Sequence, residues 1–266
     1  MSHAPRKRFG QNFLQDRTVI ALIIAAVAPL PKDHLVEIGP GRGAITMELL
    51  RRTGRLDAVE LDRDLVEPLA RQCAPLGHLV IHNADALTFD LCGLAAPDQK
   101  LRLVGNLPYN ISTPLLFHFM AERACVQDMH LMLQKEEVDR IVAPPGSRTY
   151  GRLSVMIQTW CRAESLFDIP PGAFYPAPKV YSAFLRLTPL VPLPHPIRDP
   201  GCHEHLVALA FAQRRKSLRN ALRGSVAEED LRSLGIDPGR RAEQLGVGSF
   251  AALANLACKA GITHEV

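Results

Sequence analysis

His34-Leu-Val-Glu-Ile38 runs directly into Gly39-Pro-Gly-Arg-Gly43, and Ala44 to Arg52 follows with helical spacing. The first five residues read as a short buried strand, and the glycines allow a tight turn in backbone conformations that other residues avoid. Strand, glycine turn and helix make one βα unit, and the pattern recurs downstream. Arg55–Glu60, His78–His82, Leu101–Val104 and Met129–Leu133 read as further strands, with helices expected near Asp64–Ala74, Thr113–Arg123 and Glu136–Ala143. Such alternation predicts an α/β fold whose parallel sheet is covered on both faces. Ala163–Ile169 and Tyr181–Leu187 are expected to close one sheet edge as a hairpin-like pair around Phe174-Tyr175-Pro176.

Beyond this core, Pro189, Pro192, Pro194, Pro196 and Pro200 crowd a stretch that can hold neither a helix nor a central strand. Helical segments follow at His203–Ala212, Ser217–Arg223, Glu228–Leu234 and Phe250–Ala260. The expected organisation is a ligand-binding domain over 1–190, a linker over 191–200 and a small all-helical domain over 201–266.

The chain has 266 residues, 47% hydrophobic and 22% charged, which excludes disorder as the dominant state because enough apolar surface is available for a core. Its net charge of +4 is too small to name a partner, so only local clustering carries information. Val19–Ala28, preceded by Arg6, Lys7 and Arg8, has the outline of a signal peptide. The polar run from Gln11 to Arg17 interrupts that outline, and Asp16 is a good N-cap for a helix with Ile20, Ile23, Ile24 and Val27 on one face. The apolar run is also too short for a bilayer span. Six scattered cysteines without a C-x-x-C pair are expected to be reduced thiols in a cytoplasmic protein. Cys202-His-Glu-His205 lacks a second ligand pair at zinc spacing, so no metal is assigned.

Candidate site residues cluster at strand ends. Glycines 39, 41 and 43 precede a helix whose free N–H groups suit an anionic group. A plain tight β–α connection would use the same glycines. Glu60 closes the second strand, where a carboxylate can accept both hydroxyls of a ribose. Asp85 closes the third and can accept from an adenine amino group. Together these describe an adenosine pocket that fits a nicotinamide cofactor or S-adenosylmethionine (SAM) equally. Asn106-Leu107-Pro108-Tyr109 ends the fourth strand and separates the two. The exocyclic amine of adenine is a poor nucleophile because its lone pair is delocalised. The Asn106 side-chain oxygen and the Leu107 carbonyl can hold its N–H groups, Pro108 fixes the turn, and Tyr109 offers a flat face for the base.

These motifs resemble those of the KsgA-type rRNA adenine N6,N6-dimethyltransferases, nearly end to end. The resemblance is carried by Arg8–Leu14, Glu37–Gly43, Val59–Asp62, Ala84–Leu87, Gly105–Ser112, Gln134–Glu136, Tyr150–Ser154, Phe174–Val180 and Phe211–Asn220. It implies a Rossmann-like class I SAM-dependent methyltransferase sheet. The implied activity is transfer of methyls from SAM to two adjacent adenines near the 3′ end of 16S rRNA, on the small ribosomal subunit or its precursor. By position, it places Asn12, Leu14, Gly39, Gly41, Glu60, Leu61, Asp85, Ala86 and Asn106 around SAM. It assigns the target amine to Asn106, Leu107, Pro108 and Tyr109, and stacking on the extruded adenine to Phe174. An adenine must leave its stack to be methylated, and an aromatic face offsets part of that cost. Most phenylalanines, however, are simply core. The chain departs from the family pattern at Ala177, at Tyr181 and at Glu137-Val138.

Basic residues gather at Arg6, Lys7 and Arg8 and again at Arg214, Arg215, Lys216, Arg219 and Arg223. Arg215, Arg219 and Arg223 would share one face of a continuous helix. For an rRNA substrate these are the expected phosphate contacts; a solvated helix face would carry similar charge. The chain is expected to act as a monomer, away from membranes. Competing readings are a 23S rRNA adenine methyltransferase of the macrolide-resistance type, a non-catalytic assembly or transcription factor on the same scaffold, and a DNA adenine methyltransferase, for which no separate DNA-reading domain is evident.

Overall fold

In the computed structural model, which describes residues 11–258, the chain opens with a two-residue strand, β1 (Phe13–Leu14), and a helix, α1 (Arg17–Val27). Asp16 caps the helix, its Oδ1 accepting the N–H groups of Thr18 and Val19 at 2.8 and 3.1 Å. Val19, Ile23, Ile24 and Val27 enter the core, and Ile20 packs at its margin. The apolar run with the outline of a signal peptide is thus the inner face of a packed helix.

The βα alternation then proceeds as the sequence implies. It comprises β2 (His34–Ile38), α2 (Thr46–Thr53), β3 (Arg55–Val59), α3 (Arg63–Cys73), β4 (His78–His82), β5 (Leu101–Asn106), α4 (Ser112–Ala121), β6 (Val126–Gln134) and α5 (Lys135–Ile141). After α6 (Arg152–Trp160) come β7 (Cys161–Ile169), β8 (Phe174–Tyr175) and β9 (Ser182–Pro189). The helices α7 (Pro200–Ala212), α8 (Leu218–Ala221), α9 (Glu228–Ser233) and α10 (Val247–Ala257) complete the described chain.

Seven strands form one sheet in the order β4-β3-β2-β5-β6-β9-β7. The first five of that order run parallel, and β9 lies antiparallel to β6. From β2 the chain builds outward to β3 and β4, then returns to place β5 on the other side of β2. The carboxyl ends of β2 and β5 therefore flank a topological switch point, where open α/β sheets bind ligands. At the opposite end of β5, Arg102 is buried, donating to Asp128 at 3.0 and 3.1 Å, to Asp33 at 2.6 Å and to the Val27 carbonyl at 2.7 Å. That network ties α1, β5 and β6 together away from the ligand edge.

The expected edge pair is present as β9 and β7, but Phe174-Tyr175 is not its turn. These two residues leave the sheet to form β8, which pairs antiparallel with β1, Phe13 opposite Tyr175 and Leu14 opposite Phe174.

The contacts divide the chain into two units, one of residues 1–138 and 164–189, the other of 139–163 and 190–266. The sequence reading placed everything through 190 in the first domain. The difference lies in 139–163, where several residues bond to the chain beyond 200. The Tyr150 hydroxyl donates to the Leu245 carbonyl at 2.9 Å, Gly146 N–H donates to the Glu243 carbonyl at 2.7 Å, and Arg152 pairs with Glu204 at 2.9 Å. Residues 190–199 are irregular, and Pro200 joins the first turn of α7 under an Asp199 cap.

The expectation of six reduced thiols does not hold. Cys92 pairs with Cys125 and Cys202 with Cys258, while Cys73 and Cys161 are free and buried. The pairings span 33 and 56 residues, so short-range spacing carried no trace of them. No helix among the described residues is long and apolar enough to cross a membrane.

Candidate active site

A cavity of about 350 Å³ opens at the switch point, lined by the loops after β2, β3, β4 and β5 and by residues 11–14. Its size falls within the range of small-molecule sites. All of the expected cofactor residues line it: Gly39 and Gly41 after β2, Glu60 and Leu61 after β3, Asp85 and Ala86 after β4, Asn106 at the end of β5, and Asn12 and Leu14 from the N-terminal segment. Leu107, Pro108 and Tyr109 line it as well.

The glycine turn is in the left-handed region at each glycine, with φ of +69° at Gly39, +58° at Gly41 and +82° at Gly43. Their surroundings differ. A Cβ on Gly43 would sit 2.5 Å from Leu69 Cδ1, so this glycine serves packing against α3. One on Gly41 would press on the Phe13 ring at 3.2 Å. Arg42 lies over that ring, 4.4 Å from its centre, so the Phe13 side chain is held between the turn and a guanidinium.

Glu60 is buried, and both its oxygens are fixed by backbone N–H donors, Oε2 by Gly41 at 3.1 Å and Oε1 by Asp62 at 2.8 Å. Burial pushes its carboxyl above the ordinary range, and these N–H bonds oppose the shift. Asp62, the N-cap of α3, also accepts the Gln11 amide at 3.0 Å, which ties the N-terminal segment to the end of β3. Exposed Asp85 accepts the Leu87 N–H through Oδ1 at 2.9 Å. Leu61 is 48% exposed, a large apolar side chain left open at the cavity wall.

Around Asn106, hydrogen bonds are distributed unevenly. Its Nδ2 donates to the Asn12 carbonyl at 2.9 Å, which directs Oδ1 the other way. Leu107 N–H is bound by the Met132 carbonyl at 3.1 Å. The Pro108 carbonyl accepts Ile111 N–H at 3.1 Å, and the Tyr109 carbonyl accepts the Ser112 hydroxyl at 3.2 Å. Among the described residues, nothing donates to Asn106 Oδ1 or to the Leu107 carbonyl, so two acceptors in adjacent residues remain available. The Tyr109 hydroxyl meets Ser182 Oγ at 2.5 Å, and burial raises the Tyr109 pKa while that bond opposes it.

Phe174 stands apart from the site residues. It is 4% exposed, packs in the hydrophobic core with Leu14, Ile169 and Ala173, and is not among the residues lining the cavity. Its strand pairing with β1 turns its ring inward, and the neighbouring Tyr175 is the exposed one.

The basic segment also differs from expectation. α7 ends at Ala212 and α8 covers only Leu218–Ala221, so Arg215, Arg219 and Arg223 do not share a continuous helix face. Gln213 and Ser217, with ψ of 78° and 158°, break the helix between them. Arg214 is engaged by Glu243 at 3.3 Å and by the Arg148 carbonyl, Arg219 by Glu228 at 3.7 Å, and Arg223 by Asn220 at 3.2 Å. Arg215 and Lys216 are exposed and make no ion pair among the described residues. Arg6, Lys7 and Arg8 lie outside the described residues.

Sequence reasoning missed Gln11, Phe13, Glu37 and Arg42, which also line the cavity. Glu37 is buried with Oε2 unpartnered, and burial pushes its carboxyl up to about 8, with Thr46 lowering it and Glu60 raising it. Its position inside the strand-and-glycine motif was the available signal; for Ser182, the partner of Tyr109, there was none.

The family model for ribosomal RNA adenine dimethylase matches residues 2–259. The ribosomal RNA small subunit methyltransferase A of Xylella fastidiosa is 54% identical over 95% of this chain and 96% of its own length. That of a Marinomonas species is 50% identical over 97% of each. Among solved structures, a dimethyladenosine transferase from Plasmodium falciparum superposes with a TM-score of 0.82 at 23% identity, over 94% of this chain and 98% of that one. The 23S rRNA methyltransferase ErmE superposes at 0.72 with 25% identity, over 92% and 98%. The sheet order and these neighbours make the fold that of the class I SAM-dependent methyltransferases. A match over almost the whole chain, joined to relatives half identical along nearly their full length, establishes that this protein is a methyltransferase belonging to the ribosomal RNA adenine dimethylase family.

Proposed function

We propose that the protein transfers methyl groups from SAM to the N6 amines of two adjacent adenines near the 3′ end of 16S rRNA, acting in the cytoplasm on the small ribosomal subunit or its precursor. The observation that carries this reading is the pair of open acceptors, Asn106 Oδ1 and the Leu107 carbonyl, at the wall of a cavity suited to an adenosine-bearing cofactor. The residues present fit SAM. The pinned Glu60 carboxylate has lone pairs left for ribose hydroxyls, Asp85 Oδ2 is open to an amino group, and exposed Leu61 offers an apolar surface to a base.

SAM, when bound, supplies a methyl group on a sulfonium sulfur. The chain's part is to hold the amine. Two acceptors draw on its two N–H bonds and favour a pyramidal nitrogen whose lone pair is free to attack. Pro108 fixes the turn carrying them, and Tyr109 presents its ring at the cavity wall. The proton released after attack leaves to water, because an alkylated amino cation of this kind is strongly acidic. With Phe174 in the core, Tyr109 is the aromatic residue at hand for the target base. Arg214, Arg215, Lys216, Arg219 and Arg223 supply positive charge for the rRNA backbone, with Arg215 and Lys216 the least committed to protein partners.

The half-identical relatives bear small-subunit names, which favours 16S over 23S rRNA although ErmE shares the fold. The test is mass spectrometry of nucleosides from undermethylated small subunits incubated with the protein and SAM. N6,N6-dimethyladenosine in two adjacent 16S positions is expected. Modification confined to 23S rRNA would overturn the assignment.

A further inference from the structure

Three of the exposed large hydrophobic side chains of the described structure fall within one short loop: Tyr175 at 55%, Val180 at 45% and Tyr181 at 54%. Lys179 lies among them, exposed and without an ion pair among the described residues. Two tyrosine rings held in water are an unusual arrangement for a loop whose own core residue, Phe174, is fully packed.

Both ends of this loop are fastened to residues that wall the catalytic cavity. Tyr175 pairs in β8 with Phe13, and Ser182, at the start of β9, bonds the Tyr109 hydroxyl at 2.5 Å. The Tyr181 carbonyl accepts Lys135 N–H at 2.9 Å, so its backbone is fixed while its ring is open. Pro176 and Pro178 restrict the backbone between the two tyrosines. The rings are thus carried on a pre-organised segment next to the site, and little ordering is needed when a ligand meets them.

Resting on the rRNA reading, we propose that residues 175–181 form a platform for the unpaired nucleotides flanking the target adenines, with Tyr175 and Tyr181 stacking on bases and Lys179 meeting a phosphate. An adenine drawn out of its stack leaves neighbours with uncovered faces, and exposed aromatic rings cover them without demanding a particular sequence. The continuity of the loop with the cavity and its unpaired positive charge select a nucleic-acid strand as the occupant.

The test uses an RNA spanning the target adenines, with 5-iodouridine placed on either side of the pair. Irradiation of its complex with the full chain should cross-link Tyr175 or Tyr181, identified by peptide mass spectrometry. The Tyr175→Ala/Tyr181→Ala variant should bind this RNA more weakly by roughly 5- to 150-fold per ring. The corresponding Phe variants should keep parental affinity, and calorimetric affinity for SAM should be unchanged in all. Cross-links found only elsewhere, or parental RNA affinity in the double Ala variant, would overturn the platform. Methylation of the RNA by the parent protein is scored separately, so the platform can fail while the rRNA reading stands.

Discussion

Glu60 is held by two backbone N–H groups before any ligand arrives, so in the ribose-binding role proposed for it the carboxylate would be oriented at no further entropic cost. Glu60→Ala removes up to two charge-assisted hydrogen bonds to the sugar, each worth about 1.5 kcal/mol or more. Calorimetric affinity for SAM is expected to fall at least about tenfold; parental affinity would remove Glu60 from the ribose role. Glu37 lies deeper and makes a different prediction. Its folded pKa of about 8 stands above its ordinary value of 4.5, so between these values the native state binds more protons than the unfolded chain. Stability contributed by the protonated carboxyl is therefore full below pH 4.5 and is lost as pH rises through 8, by up to about 1.4 kcal/mol per pH unit. Glu37→Gln removes that titration, and urea unfolding at pH 5, 7 and 8.5 should show a shallower decline than in the parent. Equal declines would mean that Glu37 is charged in the folded protein. The sequence identified Glu60 from its place at a strand end. It did not identify Glu37, because a carboxyl inside a strand looks the same whether it faces solvent or a core.

Elements whose cause is local were readable. Asp16 and the apolar face after it gave α1, and the glycine turn gave the β2–α2 junction. Elements whose cause is distant were not. β1 and β8 are each two residues long and exist because they pair with one another across the sequence, and α6 with the turn before it belongs with distant partners, Arg152 with Glu204 and Tyr150 with Leu245. The basic segment failed for a related reason: a spacing of four suggested one helix face, but the backbone at Gln213 and Ser217 leaves the helix and divides it. At the end of β5 an element-scale constraint acts directly on the site. A Cβ on Gly105 would lie 2.7 Å from the Ile38 carbonyl oxygen, a backbone atom of β2 that cannot move without opening the sheet. Gly105→Ala should therefore destabilise the fold by about 1–3 kcal/mol, the usual cost of overpacking. It should also lower turnover through the adjacent Asn106 more than the stability loss explains. Chemical denaturation and a methyl-transfer assay on the folded fraction check both parts. A fully active, equally stable variant would show that β2 and β5 are less closely registered than described.

At the scale of the whole molecule, the two units carry different kinds of chemistry. The unit of 1–138 and 164–189 holds every residue proposed for SAM and the target amine, whereas Arg214 to Arg223 belong to the other unit. Composition could announce the helical unit through its proline-rich approach, but not which cations in it are free, because that depends on acids brought in by folding. Arg214 and Arg219 already face Glu243 and Glu228, so binding to RNA must compete with an existing pair, and removing either residue also releases an acid. Arg215 and Lys216 have no such competitor among the described residues, and each one that meets a phosphate releases counterions in full. In Arg215→Ala/Lys216→Ala the slope of log affinity for rRNA against log salt should therefore shrink by about 0.7–0.9 for each phosphate left without its cation. Arg219→Ala should change it less, and affinity for SAM should stay parental in both. The measurement is RNA binding across a salt series. An unaltered slope in the double variant would make this segment a solvated surface and move the search for the electrostatic footprint to Arg6, Lys7 and Arg8.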